Sequence, residues 1–85
     1  MTRNYRYIRI PRRPMDSVGL SVALGRNVRD LRKEQHISIS LLSRIAKISR
    51  PLLAEIEKGE ADVRLSYVER LADALCVDPL QLLEP

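Results

Sequence analysis

An all-α fold of five short helices is predicted for this chain by three observations. Serine and aspartate recur as caps ahead of short runs with helical apolar spacing, and no run alternates strongly enough to require a strand. The apolar share of 45% is drawn from Leu, Ile, Val and Ala, with no Trp, no Phe and three Tyr, a palette suited to a compact helical bundle. At 85 residues the chain supports one small core, marginally stabilised by burial, which leaves room for a second chain to complete it.

The first helix is predicted from Ser17 to Glu34, where Leu20, Leu24, Val28 and Leu31 form an apolar stripe that Arg26, Arg29, Arg32 and Lys33 mostly avoid. Ser38 caps a second helix over Ile39–Ala46 that buries Leu42, Ile45 and Ala46, because a serine hydroxyl accepts from an otherwise unpaired first-turn N–H. Ser49 caps a third over Arg50–Lys58 that buries Leu53, Ile56 and Ala54. Pro51 falls in its first turn, where a missing N–H costs nothing, and Gly59 closes it. A fourth helix is expected to start at Ser66, since Ser66-Tyr67-Val68-Glu69 has the form of a capping box, and to run through Leu71, Ala72 and Leu75. Asp78-Pro79-Leu80-Gln81 opens a fifth that ends near Leu83.

Residues 1–16 are expected to form a basic N-terminal arm and residues 17–85 the folded domain. Pro11 and Pro14 flank Arg12 and Arg13 and prohibit a helix across them. Tyr5, Tyr7 and Ile8-Arg9-Ile10 alternate weakly, so a short N-terminal strand paired with a twofold copy of itself is an open alternative.

The net charge of +4 conceals a polarity along the chain. Residues 1–14 carry Arg3, Arg6, Arg9, Arg12 and Arg13 with no acid, and residues 26–50 hold seven Lys or Arg against Asp30 and Glu34. Residues 51–85 reverse the sign, with three basic residues against eight acidic ones. Positive charge gathered on an arm and on the segment entering the second and third helices suits a polyanionic partner.

Several function classes are disfavoured. No apolar run reaches a membrane span and no apolar segment follows the basic start, so a soluble cytoplasmic protein is expected, with no membrane partner. One cysteine forms no internal disulfide, and one histidine offers no metal cluster. Neither a nucleophile–base pair nor a glycine-rich phosphate loop is present, so no enzyme, cofactor or catalytic residue is expected.

Two short helices joined by a tight turn over Ser38–Gly59 are the unit that DNA-binding proteins use to place a recognition helix in the major groove. Leu24-Gly25, Val28, Leu31-Arg32, the Ser38 and Ser49 caps, Leu42 with Ala46, Ile56-Glu57-Lys58-Gly59 and Leu71-Ala72-Asp73-Ala74-Leu75-Cys76-Val77 extend the match. With these, residues 20–84 resemble the Cro/C1-type helix-turn-helix family, also called the xenobiotic response element family.

That resemblance implies a five-helix lambda-repressor-like domain and a structural ion pair between Arg32 and Glu57. It implies DNA contacts from Ile39 and Ser40, from Arg50, Pro51, Leu52 and Glu55, and from Arg64. Arg50 is the main base-reading candidate, since arginine can bond both acceptors on a guanine edge. Glu55 could accept from a cytosine amino group, and Leu52 could meet a thymine methyl. Arg44, Lys47 and Lys58 are candidate phosphate partners, alongside the helix starts at Ser38 and Ser49. The arm arginines are candidates for the minor groove.

The chain also departs from the family's pattern. Ile39 stands where a glutamine commonly opens the second helix. Glu60 and Asp62 put acid into a loop that often faces phosphates, and Val63 replaces a common proline. His36, Lys47 and Cys76 occupy helix ends where glycine is frequent. Two functions follow as expectations. The first is a sequence-specific transcriptional regulator, a repressor acting as a homodimer on a palindromic operator in double-stranded DNA. The second is a protein-binding module on the same fold, antitoxin-like or factor-recruiting, using an apolar patch of Ile39 and Leu52 on its protein partner.

Overall fold

A computed structural model describes the chain over residues 15–85, with side chains from Gly19 onward. Five helices follow in order: α1 Met15–Glu34, α2 Ile39–Ala46, α3 Arg50–Glu57, α4 Leu65–Leu75 and α5 Pro79–Leu82. No strand occurs among the described residues. The candidate strand over Tyr5–Ile10 and the arm arginines lie outside them, and α1 opens at Met15, two residues ahead of Ser17. Among the described residues no helix is long and apolar enough to cross a membrane.

One core joins all five helices. Leu24 and Val28 of α1 meet Leu53 and Ile56 of α3, Leu42 and Ala46 of α2, Val68, Leu71 and Leu75 of α4, and Leu82 of α5, all buried. α1 packs on α3 and α5, α2 on α3 and α4, and α4 on α5. The apolar stripes are shorter than the spacing predicts. Leu20 is 55% exposed and Ile45 49% exposed, while Ala54 is half-buried. An eight-residue helix at the edge of a bundle turns only a narrow side inward, and in α2 Leu42 and Ala46 fill it.

Three of the expected caps form. Ser38 Oγ accepts from Leu41 N at 3.0 Å and Ser49 Oγ from Leu52 N at 3.3 Å. Asp78 Oδ1 accepts from Leu80 N at 2.9 Å, while Gln81 Oε1 accepts from Asp78 N in a reciprocal box. The fourth helix is a correction. It starts at Leu65 on an extended Arg64 whose side chain makes no cap bond, so Ser66 lies inside the first turn. Tyr67 N and Val68 N both donate to Arg64 O, which fixes the start in the phase that buries Val68 and Leu71.

His36, Lys47 and Cys76 adopt left-handed backbone with φ of 58°, 58° and 60°, and Gly59 joins them at 77°. Each reversal returns an N–H to a carbonyl five residues back: Ile37 to Arg32, Ile48 to Ser43, Val77 to Ala72 and Glu60 to Glu55. Ile37, Ile48 and Val77 then fold against the core, which holds the three non-glycine residues in a conformation that costs roughly 1–2 kcal/mol for an L-residue. Cys76→Gly is therefore expected to raise stability by about 0.5–1 kcal/mol after the entropy of glycine is subtracted. A thermal midpoint higher by several degrees in circular dichroism would register it.

Long polar side chains tie the helix ends to one another through main-chain carbonyls. Asn27 Nδ2 donates to Leu82 O at 2.9 Å and Glu84 O at 2.7 Å. Gln35 Nε2 donates to Leu75 O at 2.8 Å, and Arg70 Nη1 to Lys47 O at 2.9 Å.

Candidate nucleic-acid interface

α2 and α3 are set at an angle by the turn Lys47-Ile48-Ser49. The left-handed Lys47 reverses the chain, buried Ile48 anchors it, and Ser49 opens α3. Because Leu53, Ile56 and Glu57 face inward, α3 presents Arg50, Pro51 and Glu55 to solvent. Ser38, Arg44, Lys47, Ser49 and Lys58 are exposed around it. Arg44, Lys47, Arg50 and Lys58 are thus exposed cations of this unit, and Glu55 is an exposed acid of α3.

Two N-termini open on this unit. The first intrahelical bond of α2 runs from Leu42 N to Ser38 O, so the N–H groups of Ile39 and Ser40 precede the ladder. In α3 Pro51 removes one such donor, which leaves fewer backbone N–H groups free at its N-terminus.

The apolar patch expected from Ile39 and Leu52 does not form as an exposed surface. Both are half-buried and pack on the core, as does Val63 in the following loop. The exposed apolar residues of α2 are instead Leu41, at 39%, and Ile45. Glu60, Asp62 and Arg64 in the loop after α3 are exposed, and Ser40 is half-buried.

The orientation of α3 rests on a fork to α1. Arg32 Nε donates to Glu57 Oε2 at 2.7 Å and Nη2 donates to Oε1 at 3.0 Å, while Nη1 donates to Ile37 O at 2.9 Å. The hydrogen bonds to Glu57, reinforced by its charge, hold the guanidinium above the ordinary arginine range against the opposing effect of burial. While the Glu57 carboxylate is charged, this contribution is present below the ordinary arginine range and is lost as pH climbs through the raised value. Beside the fork, Gly25 lets the α1 backbone touch α3. A Cβ there would collide with Ile56 O and stand 2.9 Å from Gly59 N.

Arg70 is a positioning residue with no counterpart among the sequence expectations. Its guanidinium lies 4.9 Å from the Tyr67 ring centroid while it bonds Lys47 O, so α4 holds the turn between α2 and α3. The Tyr67–Arg70 spacing of three on one helix was its only signal.

The sequence pattern of the helix-turn-helix domain family matches residues 23–84, most of the chain. The chain belongs to the Cro/C1-type helix-turn-helix family. This helix-turn-helix chain is similar to the restriction-modification controller protein C.AhdI from Aeromonas hydrophila, with 29% identity, a TM-score of 0.70, and coverage of 73% of this chain and 94% of that one. It is also similar to the hypothetical transcription factor NHTF from Neisseria, with 32% identity, a TM-score of 0.74, and coverage of 78% and 76%. An HTH_3 family transcriptional regulator from Vibrio cholerae, 20% identical with a TM-score of 0.72 over 76% of this chain and 36% of that one, shares the fold. No curated protein sequence matches the chain. Family membership carries a coarse function with it, that of a DNA-binding regulator.

Proposed function

We propose that this helix-turn-helix chain is a non-catalytic transcriptional repressor that binds a palindromic operator as a homodimer. The observation that carries the reading is the outward face of α3, where Arg50 and Glu55 stand exposed on a helix whose opposite side is locked to α1 and the core. Arg50 reads a guanine, Glu55 and Leu52 tune the neighbouring pairs, and Arg44, Lys47, Lys58 and Arg64 hold phosphates. Ser38 and Ser49 set the two helix starts, with Ile39, Ser40 and Pro51 at the backbone, and the arm arginines add minor-groove affinity. One α3 covers too few base pairs to specify a site in a genome, so two copies with half-sites about one DNA turn apart are needed. Repression asks least of such a chain, since a dimer seated on a promoter excludes polymerase by occupancy. The similarity to a restriction-modification controller protein supports a regulatory role of this kind.

Selection of bound duplexes from a random pool tests the reading, with a twofold-symmetric consensus expected. Uniform weak binding to all duplexes, lost as salt rises, would overturn it. Within that consensus Arg50→Ala is expected to weaken binding by about 1–3 kcal/mol and to relax preference at one base pair per half-site, with the thermal midpoint unchanged. Titration against the selected site and its single-base variants checks both.

A further inference from the structure

The turn between α2 and α3 leaves a carbonyl without a main-chain partner. Lys47 stands at φ 58° and ψ 47°, a left-handed conformation that strains a residue with a Cβ. Its own N–H donates to Arg44 O, and Ile48 N donates to Ser43 O. No main-chain N–H among the described residues donates to Lys47 O. The residue four further on, where a continuing helix would supply that donor, is Pro51.

Arg70 of α4 fills the place. Its Nη1 donates to Lys47 O at 2.9 Å, and its guanidinium stands 4.9 Å from the centroid of the Tyr67 ring, three residues earlier on the same helix. Around it, buried Val68, Leu71 and Ala72 seat α4 on the core, so the donor is carried by a fixed element. Its charge also meets the negative end of the α2 dipole. Arg70 itself is exposed, and with Lys47 it lines an open groove of about 320 Å³ between α2 and α4, so removing its head group creates no cavity in the core.

We propose that Arg70 prepositions the α2–α3 unit for DNA, fixing the backbone at Lys47 and with it the angle between the two helices and the reach of the Lys47 ammonium. Without the bond the turn samples other backbone angles, and DNA binding then bears the cost of restoring this one. The inference rests on DNA binding through α2 and α3. It makes affinity depend on a side chain that touches neither base nor phosphate.

Titration of the selected duplex with the full chain over a series of salt concentrations tests it. Arg70→Met keeps the apolar stem, removes the donor and is expected to weaken binding about three- to tenfold, the span of a single net hydrogen bond. Arg70→Lys keeps a donor and should recover most of that loss, while Tyr67→Leu should show a smaller loss in the same direction. The control is Gln35→Met, which removes a bond of the same kind from Leu75 O, outside the α2–α3 unit. It should lower the thermal midpoint as much as Arg70→Met does and leave DNA affinity unchanged, which a merely structural role for Arg70 would not produce. In the free protein the Lys47 carbonyl carbon resonance should move in Arg70→Met and stay put in Gln35→Met. The slope of log affinity against log salt should be the same for wild type and Arg70→Met. A slope shallower by about 0.9 would make Arg70 a phosphate contact and overturn the inference. An unmoved carbonyl resonance, or an Arg70→Met that binds as tightly as the wild type, would also overturn it while leaving DNA binding standing. A wild type that selects no duplex would overturn both.

Discussion

Gly25→Ala is expected to cost this domain about 3 kcal/mol or more, at or beyond the upper end of ordinary overpacking, because the added methyl meets main chain rather than a side chain that could swing aside. Ile56 O and Gly59 N belong to the end of α3 and its closing turn, and neither can yield without moving α3. For a domain of this size, whose total stability is on the order of 5–10 kcal/mol, that is a large fraction. The thermal midpoint should fall by roughly 12 °C or more. Binding to DNA should fall even at temperatures where the variant is folded, since α3 is pushed off α1. Gly19→Ala supplies the contrast on the same helix. Nothing stands within 4 Å of its added methyl, so helix propensity alone acts and about 0.5–1 kcal/mol of stability should be gained. Equal destabilisation by the two variants would refute the close approach of α1 and α3.

Glu57→Ala is the second large effect expected. It strips the guanidinium of Arg32, whose side chain is 14% exposed, of both bonds to the carboxylate and leaves it with Ile37 O alone. Breaking a buried pair from one side costs about 3–5 kcal/mol, and the partial exposure of Arg32 together with its remaining bond lowers the expectation here to about 2–3 kcal/mol. Glu57→Gln keeps the shape and one acceptor and should lose less. Replacing Arg32 and Glu57 together by leucine removes the stranded charge and should recover much of the stability, because two apolar groups can pack where an ion pair stood. Chemical denaturation of the wild type, Arg32→Leu, Glu57→Leu and the double leucine variant gives the coupling energy. A coupling near zero would show that the fork contributes nothing to the fold.

Which features were legible in advance follows from how local their physics is. Ser38, Ser49 and Asp78 act on N–H groups two or three residues away, and their caps could be read from sequence alone. The helix ends at His36, Lys47 and Cys76 were legible through the family resemblance, which often has glycine there, and their left-handed backbone is what the structure adds. Ser66 misled because its capping pattern is equally local but weaker than the phase demanded by Val68 and Leu71 in the core. Leu20 and Ile45 have the correct spacing for burial, yet spacing does not say whether another helix lies opposite. Ile39 and Leu52 erred in the other direction, since positions at the edge of a recognition unit can lean back onto the core. On the reading surface, the outward side of α3 follows from the inward side, so placing Leu53 and Ile56 left Arg50 and Glu55 to solvent. Arg70 could not be found this way, because its hydrogen-bonding partner is a main-chain carbonyl and leaves no mark in the sequence.

The same property belongs to Asn27, Gln35 and the third bond of Arg32, all of which end on main-chain oxygen. Every residue supplies such an oxygen, whatever its side chain. Where the receiving residue is exposed, as at Lys47 and Glu84, its side chain can therefore change without releasing the helices. A lineage carrying this scaffold is free to rewrite the exposed side chain at Lys47 and alter what the protein touches, while the donors that keep its shape stay where they are.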